Sequence, residues 1–147
     1  RLGIGLYGVS PYGDNKGLRT VSMLKTTILQ IRDLATGETV GYSRRGVLER
    51  PSRIAAIPIG YADGFDRHLG NGKGCVVVNG KRAPVVGNIC MDVTLIDVTD
   101  IDCREGDRVE IFGEQLPVEE MAGWLDTIPY EILTSVSSRV KRVYYRE

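Results

Sequence analysis

Imidazole is almost absent from this chain. His68 is the single histidine among 147 residues, beside two phenylalanines and one tryptophan. One histidine removes most zinc sites and leaves no Ser/His/Asp set, so no metal is expected. The three cysteines, Cys75, Cys90 and Cys103, are odd in number and widely spaced. They form neither a C-x-x-C pair nor a disulfide framework, which points to a reducing, cytoplasmic setting. Charge of either sign is not in excess: 19 Lys and Arg balance 19 Asp and Glu. A neutral chain lacks the basic surplus that nucleic acid or an anionic membrane surface demands, so neither is expected as a partner. No apolar run approaches the roughly 18 residues that a membrane-spanning helix needs, and no charged n-region precedes an apolar stretch. Linkers, low-complexity segments and internal repeats are missing too. The sequence opens Arg1-Leu2-Gly3-Ile4 without a Met and reads as a piece of something longer.

What is present is the material of one globular domain, 42% hydrophobic and 26% charged, with seven Tyr and 18 Gly. The apolar periods are short and rich in β-branched residues. Val21 to Asp33 reads as one long strand, a turn at Ala35-Thr36-Gly37-Glu38 follows, and Thr39-Val40-Gly41-Tyr42 starts the return. Ile54 to Ile59 is a further strand, in which Pro58 implies an edge or a bulge. Val76-Val77-Val78 meets Asn79-Gly80, a strong hairpin signal, and Lys81 to Val86 runs back. Thr94–Val98 and Arg108–Phe112 alternate like half-buried strands, and Arg139 to Tyr145 reads as a final one. Helix is expected only late. Pro117 opens a segment whose Val118, Met121, Ala122 and Leu125 make an i, i+3, i+4, i+7 stripe, and a second helix starts at Pro129. The pattern implies a mainly β fold, a barrel or sandwich with two short helices near the C-terminus.

Three segments carry possible chemistry. Arg1-Leu2-Gly3-Ile4 sets consecutive backbone N–H groups beside a cation, enough to cradle a phosphate, although many Gly-containing turns offer as much. Tyr42 is flanked by Arg44 and Arg45. A neighbouring cation favours phenolate and fits a tyrosine for proton transfer, against the plainer reading of an exposed tyrosine beside solvated arginines. Cys90-Met91-Asp92 follows an apolar hairpin, and its plain reading is buried Cys and Met with Asp92 opening a turn.

In order, however, the chain carries Arg-x-Gly-Ile-x-Leu-Tyr-Gly at 1–8, Gly-Glu-Thr-Val-Gly-Tyr at 37–42 and Ile-Gly-Tyr-Ala-Asp-Gly at 59–64. Val-Asn-Gly-Lys-Arg-Ala-Pro-Val-Val-Gly-Asn-Ile-Cys-Met-Asp at 78–92 and Tyr-Glu-Ile-Leu-Thr at 130–134 complete the set. This signature resembles the C-terminal domain of alanine racemase, a family of pyridoxal-phosphate enzymes that interconvert L- and D-alanine. The resemblance covers essentially the whole chain.

The resemblance implies an upstream α/β barrel ending within residues 1–10, and a β-rich domain over 11–147. The barrel would carry the lysine that forms the Schiff base with pyridoxal 5'-phosphate, so this piece alone is expected to be inactive. Arg1 matches the arginine on the pyridine nitrogen, where a guanidinium leaves that nitrogen unprotonated and weakens the electron sink. Gly3 and Ile4 match the residues whose N–H groups hold the phosphate. Tyr42 matches the catalytic tyrosine, which serves one face of the substrate Cα from the partner subunit of a head-to-tail homodimer. Met91 and Asp92 match the pair near the substrate carboxylate, with the Met91 N–H as donor. Tyr61, Arg67 and Val136 match residues of the substrate access channel. Two positions depart from the pattern: Asn88 stands where some members have a channel arginine, and Ser138 where some have a tyrosine touching the phosphate. Lys25 and Lys81 lie in expected strands with no matching motif and are not Schiff-base candidates. The implied role is D-alanine supply for peptidoglycan. The competing readings are a non-enzymatic β-barrel interaction module, and a racemase for serine or another small amino acid.

Overall fold

A computed structural model describes residues 3–12 and 17–145. The β-rich reading holds: short antiparallel strands dominate, followed by two short helices. β1 (Leu24–Thr27), β9 (Arg108–Phe112), β6 (Cys75–Val78) and β7 (Lys81–Pro84) form one sheet in the order β1-β9-β6-β7. A second sheet has the order β2-β5-β8, from Gln30–Leu34, Ser52–Ile57 and Thr94–Asp97. A two-stranded ribbon pairs β3 (Thr39–Val40) with β4 (Gly46–Val47). The ladders do not close into a barrel. Among the described residues the two larger sheets meet at a single bridge, Val85 to Ile96, and share one core, so the sandwich form of the expectation is the one realised.

The core explains which residues became strands. Val76, Val78, Val109 and Ile111 of one sheet and Ala55, Ile57 and Ile96 of the other are fully removed from solvent, together with Phe65, Leu69 and Ile89 from the loops. Asn79 and Gly80 both adopt positive φ, the requirement of a two-residue turn that follows strand twist, and this fixes the β6–β7 register. Helix α1 (Val118–Trp124) buries the Val118, Met121 and Ala122 stripe, and α2 (Pro129–Ser135) places Pro at its first turn and buries Ile132.

Three expectations are corrected. The stretch from Val21 to Asp33 is two strands in different sheets, because the chain changes sheets at Ile28 and Leu29. The Ile28 N–H donates to the Asp107 carbonyl at 2.9 Å, and the Leu29 N–H donates to the Ala56 carbonyl at 2.8 Å. Pro58 marks neither an edge nor a bulge. It follows the end of β5, the central strand of its sheet, and the Ile59 N–H closes on the Ile57 carbonyl at 2.9 Å around it. Residues 139–145 form no strand despite their alternation. The Arg142 guanidinium takes the carbonyls of Val136, Ser137 and Val140, so the segment is held by caps rather than by a neighbouring strand.

Candidate functional site

The Ile-Gly-Tyr-Ala-Asp-Gly block becomes a short 3-10 turn, Tyr61–Asp63, pressed onto the Cys90–Asp92 loop. Gly60 allows the approach: a Cβ there would lie 2.2 Å from the Cys90 carbonyl oxygen and 2.4 Å from that of Met91. The Tyr61 N–H donates to the Cys90 carbonyl and the Ala62 N–H to the Met91 carbonyl, each at 3.1 Å. The loop is closed on itself by the Cys90 N–H to the Val93 carbonyl at 3.0 Å. Among the described residues no hydrogen bond engages the Met91 N–H, and Met91 is 53% exposed. The loop therefore presents a free donor at the surface.

Asp63 is the buried hinge of this arrangement, 8% exposed. Its Oδ2 accepts the Gly60 N–H at 2.9 Å, and its Oδ1 lies 2.9 Å from Arg139 Nε. The same guanidinium hydrogen-bonds Asp92 through its other arm. The Asp92 hydrogen bond, and then the charge of Asp63, push the guanidinium further above its ordinary range. The segment after α2 is tied in by the Ser137 N–H to the Asp63 carbonyl at 3.1 Å. Val136 lies against Gly64, whose added Cβ would come within 2.9 Å of the Val136 Cα. Tyr61, Met91, Asp92 and Val136 are thus brought together. Ser138 follows on the exposed side of the same segment.

Tyr42 stands on a different turn, Tyr42–Arg44, after Gly41 at φ +74°, with Ser43 and Arg44 also left-handed. The side chain is 74% exposed, and among the described residues no hydrogen bond or ion pair engages its phenol. The Arg44 Nε donates to Thr39 Oγ1 at 3.0 Å instead. The Tyr42 turn meets the Met91 loop through Asn88, whose side-chain amide donates to the Tyr42 carbonyl. Arg67 lies exposed on its own 3-10 turn, Arg67–Leu69, capped by Asp66. Gly70, just after it, would bring a Cβ within 2.9 Å of the Gly87 carbonyl, so this turn sits beside the residues leading to Asn88.

Gly3 and Ile4 begin a 3-10 turn, Gly3–Tyr7. Gly3 has φ +49°, and a Cβ there would approach the Tyr130 hydroxyl to 2.7 Å. The Ile4 N–H donates to that hydroxyl at 2.7 Å. The Ile4 N–H is thus taken by that hydroxyl, which keeps its own proton to donate. A hydroxyl donor beside a turn that starts at Gly3 fits an anionic group such as a phosphate. Arg1 lies outside the described residues.

The model of the alanine racemase C-terminal domain matches residues 21–144. This chain belongs to that family. It is 46% identical over 147 residues to the alanine racemase of Alteromonas mediterranea, covering 97% of this chain and 41% of that protein. The alanine racemase of Stutzerimonas stutzeri is 42% identical over 149 residues, covering 98% of this chain and 41% of that protein. Among solved structures, the Bartonella henselae alanine racemase with covalently bound pyridoxal phosphate superposes with a TM-score of 0.92 at 44% identity, over 97% of this chain and 40% of that one. The biosynthetic alanine racemase of Pseudomonas aeruginosa gives 0.91 at 39%, over 98% and 41%. The chain therefore spans about two fifths of the relatives it matches.

Within this alanine racemase C-terminal domain, the residues that sequence reasoning missed are those that brace the site: Asp63, Tyr130, Arg139, and Asn71, whose side-chain amide donates to Asn88 Oδ1 at 3.1 Å. Asp63 and Tyr130 lay inside motifs already singled out. Arg139 was hidden in an alternation that imitates a strand. Among the described residues no group of three or more His, Cys, Asp or Glu is placed to hold a metal ion, and no helix is long and apolar enough to cross a membrane.

Proposed function

We propose that this chain is the C-terminal domain of a pyridoxal-phosphate-dependent racemase that interconverts L- and D-alanine, and that Tyr42 is its contribution to proton transfer. The observation that carries the reading is the presentation of Tyr42. A phenol without a partner stands on a strained turn, facing away from its own core. Racemisation needs an acid and a base on opposite faces of one carbon, and an outward-facing phenol suits one face of a site completed by another subunit. Pyridoxal phosphate, when bound, supplies the electron-accepting ring that renders the α-proton of the amino acid acidic.

The remaining residues take supporting roles. Gly3, Ser138 and the Tyr130 hydroxyl would hold the phosphate, joined by Ile4 once its N–H leaves that hydroxyl, and Arg1 would face the pyridine nitrogen. The Met91 N–H would receive the substrate carboxylate beside Asp92. Tyr61, Arg67 and Val136 would line the approach. Residues 1–10 would complete an upstream α/β barrel carrying the Schiff-base lysine, and residues 11–147 the β-rich domain. The protein would act as a cytoplasmic homodimer supplying D-alanine for peptidoglycan.

The test is the racemisation of L-alanine by the cofactor-loaded full-length enzyme containing this chain, with and without Tyr42→Phe. Loss of about two to four orders of magnitude in kcat is expected for removal of a general acid–base group. A variant as active as the parent would leave this domain as a non-catalytic interaction module.

A further inference from the structure

Two loops of the chain converge on the guanidinium of Arg139. Arg139 Nε lies 2.9 Å from Asp63 Oδ1 on the 60–64 turn, and its other arm reaches Asp92 on the 90–92 loop. Asp63 is fixed from behind by the Gly60 N–H at 2.9 Å and, through its carbonyl, by the Ser137 N–H at 3.1 Å. Asp63 is buried while Asp92 is near half exposed, so Arg139 joins a buried carboxylate to a surface one. A buried carboxylate without an ion-pair partner is costly, and the guanidinium is the partner here.

The object held in this way is a peptide plane. The Cys90 carbonyl and the Met91 N–H belong to one trans peptide unit and point in opposite directions. The Tyr61 N–H fixes that carbonyl toward the 60–64 turn, so the Met91 N–H faces the other way. The Met91 carbonyl is fixed likewise by the Ala62 N–H. Backbone bonds thus hold the loop at Cys90 and Met91, and the Asp92–Arg139 bond holds it at Asp92. There is also a charge consequence. An aspartate next to the donor would repel an arriving carboxylate, and pairing with Arg139 offsets that repulsion where it is felt.

We infer that Arg139, bridging Asp63 and Asp92, is a positioning residue that aims the Met91 N–H and offsets the Asp92 charge so that this loop accepts a carboxylate. The inference rests on the proposed substrate-carboxylate role of Met91 and adds the residue that sets it. Arg139 acts through Asp63 and Asp92, its two carboxylate partners.

The experiment uses the cofactor-loaded full-length enzyme as wild type, Arg139→Gln, Arg139→Lys, Asp92→Asn, and Arg139→Gln with Asp92→Asn. Steady-state kinetics with alanine are measured beside propionate binding, followed through the cofactor absorbance, and amide hydrogen exchange over residues 90–93. In Arg139→Gln, KM for alanine and Kd for propionate rise about tenfold, kcat changes by less than about threefold, and exchange over 90–93 quickens. Adding Asp92→Asn recovers most of the propionate affinity, because the unpaired charge is gone; Arg139→Lys falls between. If Arg139→Gln does not fold, Arg139→Lys, whose single ammonium lacks the two-armed fork, must raise propionate Kd at least about twofold and quicken exchange over 90–93. Equal propionate affinity in wild type and Arg139→Gln, or a double variant no better than the single one, overturns the inference. A wild-type enzyme that does not bind propionate at all overturns the carboxylate role of Met91 itself, and the exchange data then still show separately whether the bridge orders the loop.

Discussion

Asn88 Nδ2 donates to the Tyr42 carbonyl at 3.3 Å, and Asn88 Oδ1 in turn accepts from Asn71 Nδ2 at 3.1 Å. Asn88 thereby braces the turn that presents the tyrosine. A turn with two left-handed non-glycine residues needs such support. Asn88→Ala is expected to lower kcat about two- to tenfold while shifting unfolding free energy by about 1–2 kcal/mol, the worth of the two exposed hydrogen bonds it removes. Steady-state kinetics beside urea denaturation check both halves.

Gly60→Ala tests the contact between the two loops. The new Cβ would meet two carbonyl oxygens at 2.2 and 2.4 Å, distances only a backbone shift relieves. Overpacking of this kind costs about 1–3 kcal/mol, read as a lower urea midpoint. The same shift would turn the Met91 peptide, so KM for alanine is expected to rise with it. Gly17→Ala, where nothing stands within 4 Å of the added atom but φ is +79°, isolates the backbone cost alone.

Much of this fold was legible in the sequence, because its signals are local. Asn79-Gly80 sets a hairpin, the alternation of Arg108–Phe112 sets a strand, and Pro117 with its apolar stripe sets a helix. Legibility stopped where tertiary partners decide. Nothing local shows that Ile28 and Leu29 bond to different sheets, or that Arg142 caps carbonyls where the pattern asks for a strand. The site divides in the same way. The motifs bring out Tyr42, Met91 and Asp92, whereas Arg139 lies 47 positions from the Asp92 it pairs with and shares no motif with it.

Arg82 and Glu120 predict an acid limb. The two-armed pair, 2.7 Å on its longer arm, holds the Glu120 carboxyl below its ordinary range, chiefly through the Arg82 hydrogen bonds and against the pull of desolvation. A depressed carboxyl contributes stability that is present above the unfolded value of about 4.3 and is lost as pH falls through the folded one. The stability gap between wild type and Arg82→Ala is therefore expected to be open at pH 7 and to close as pH drops below about 4. Both residues are partly exposed, so added salt shrinks the gap at neutral pH. Urea midpoints across that range check it.

Tyr130→Phe removes the oxygen that receives the Ile4 N–H. If that hydroxyl stands beside the cofactor phosphate, pyridoxal phosphate binds about tenfold more weakly, the scale of a hydrogen bond to a charged group. Pyridoxal, which has no phosphate, binds as before. Equilibrium dialysis of both ligands distinguishes a phosphate contact from a general loosening of the first turn.

The most direct test of Tyr42 separates its two tasks. In deuterium oxide, the full-length enzyme carrying Tyr42→Phe should still exchange the α-hydrogen of one alanine enantiomer, through the base on the other face. Exchange of the opposite enantiomer and interconversion of the two should fall by about two to four orders of magnitude. Interconversion at the parental rate, or equal loss of exchange from both enantiomers, would contradict the assignment of Tyr42 to one face of the substrate.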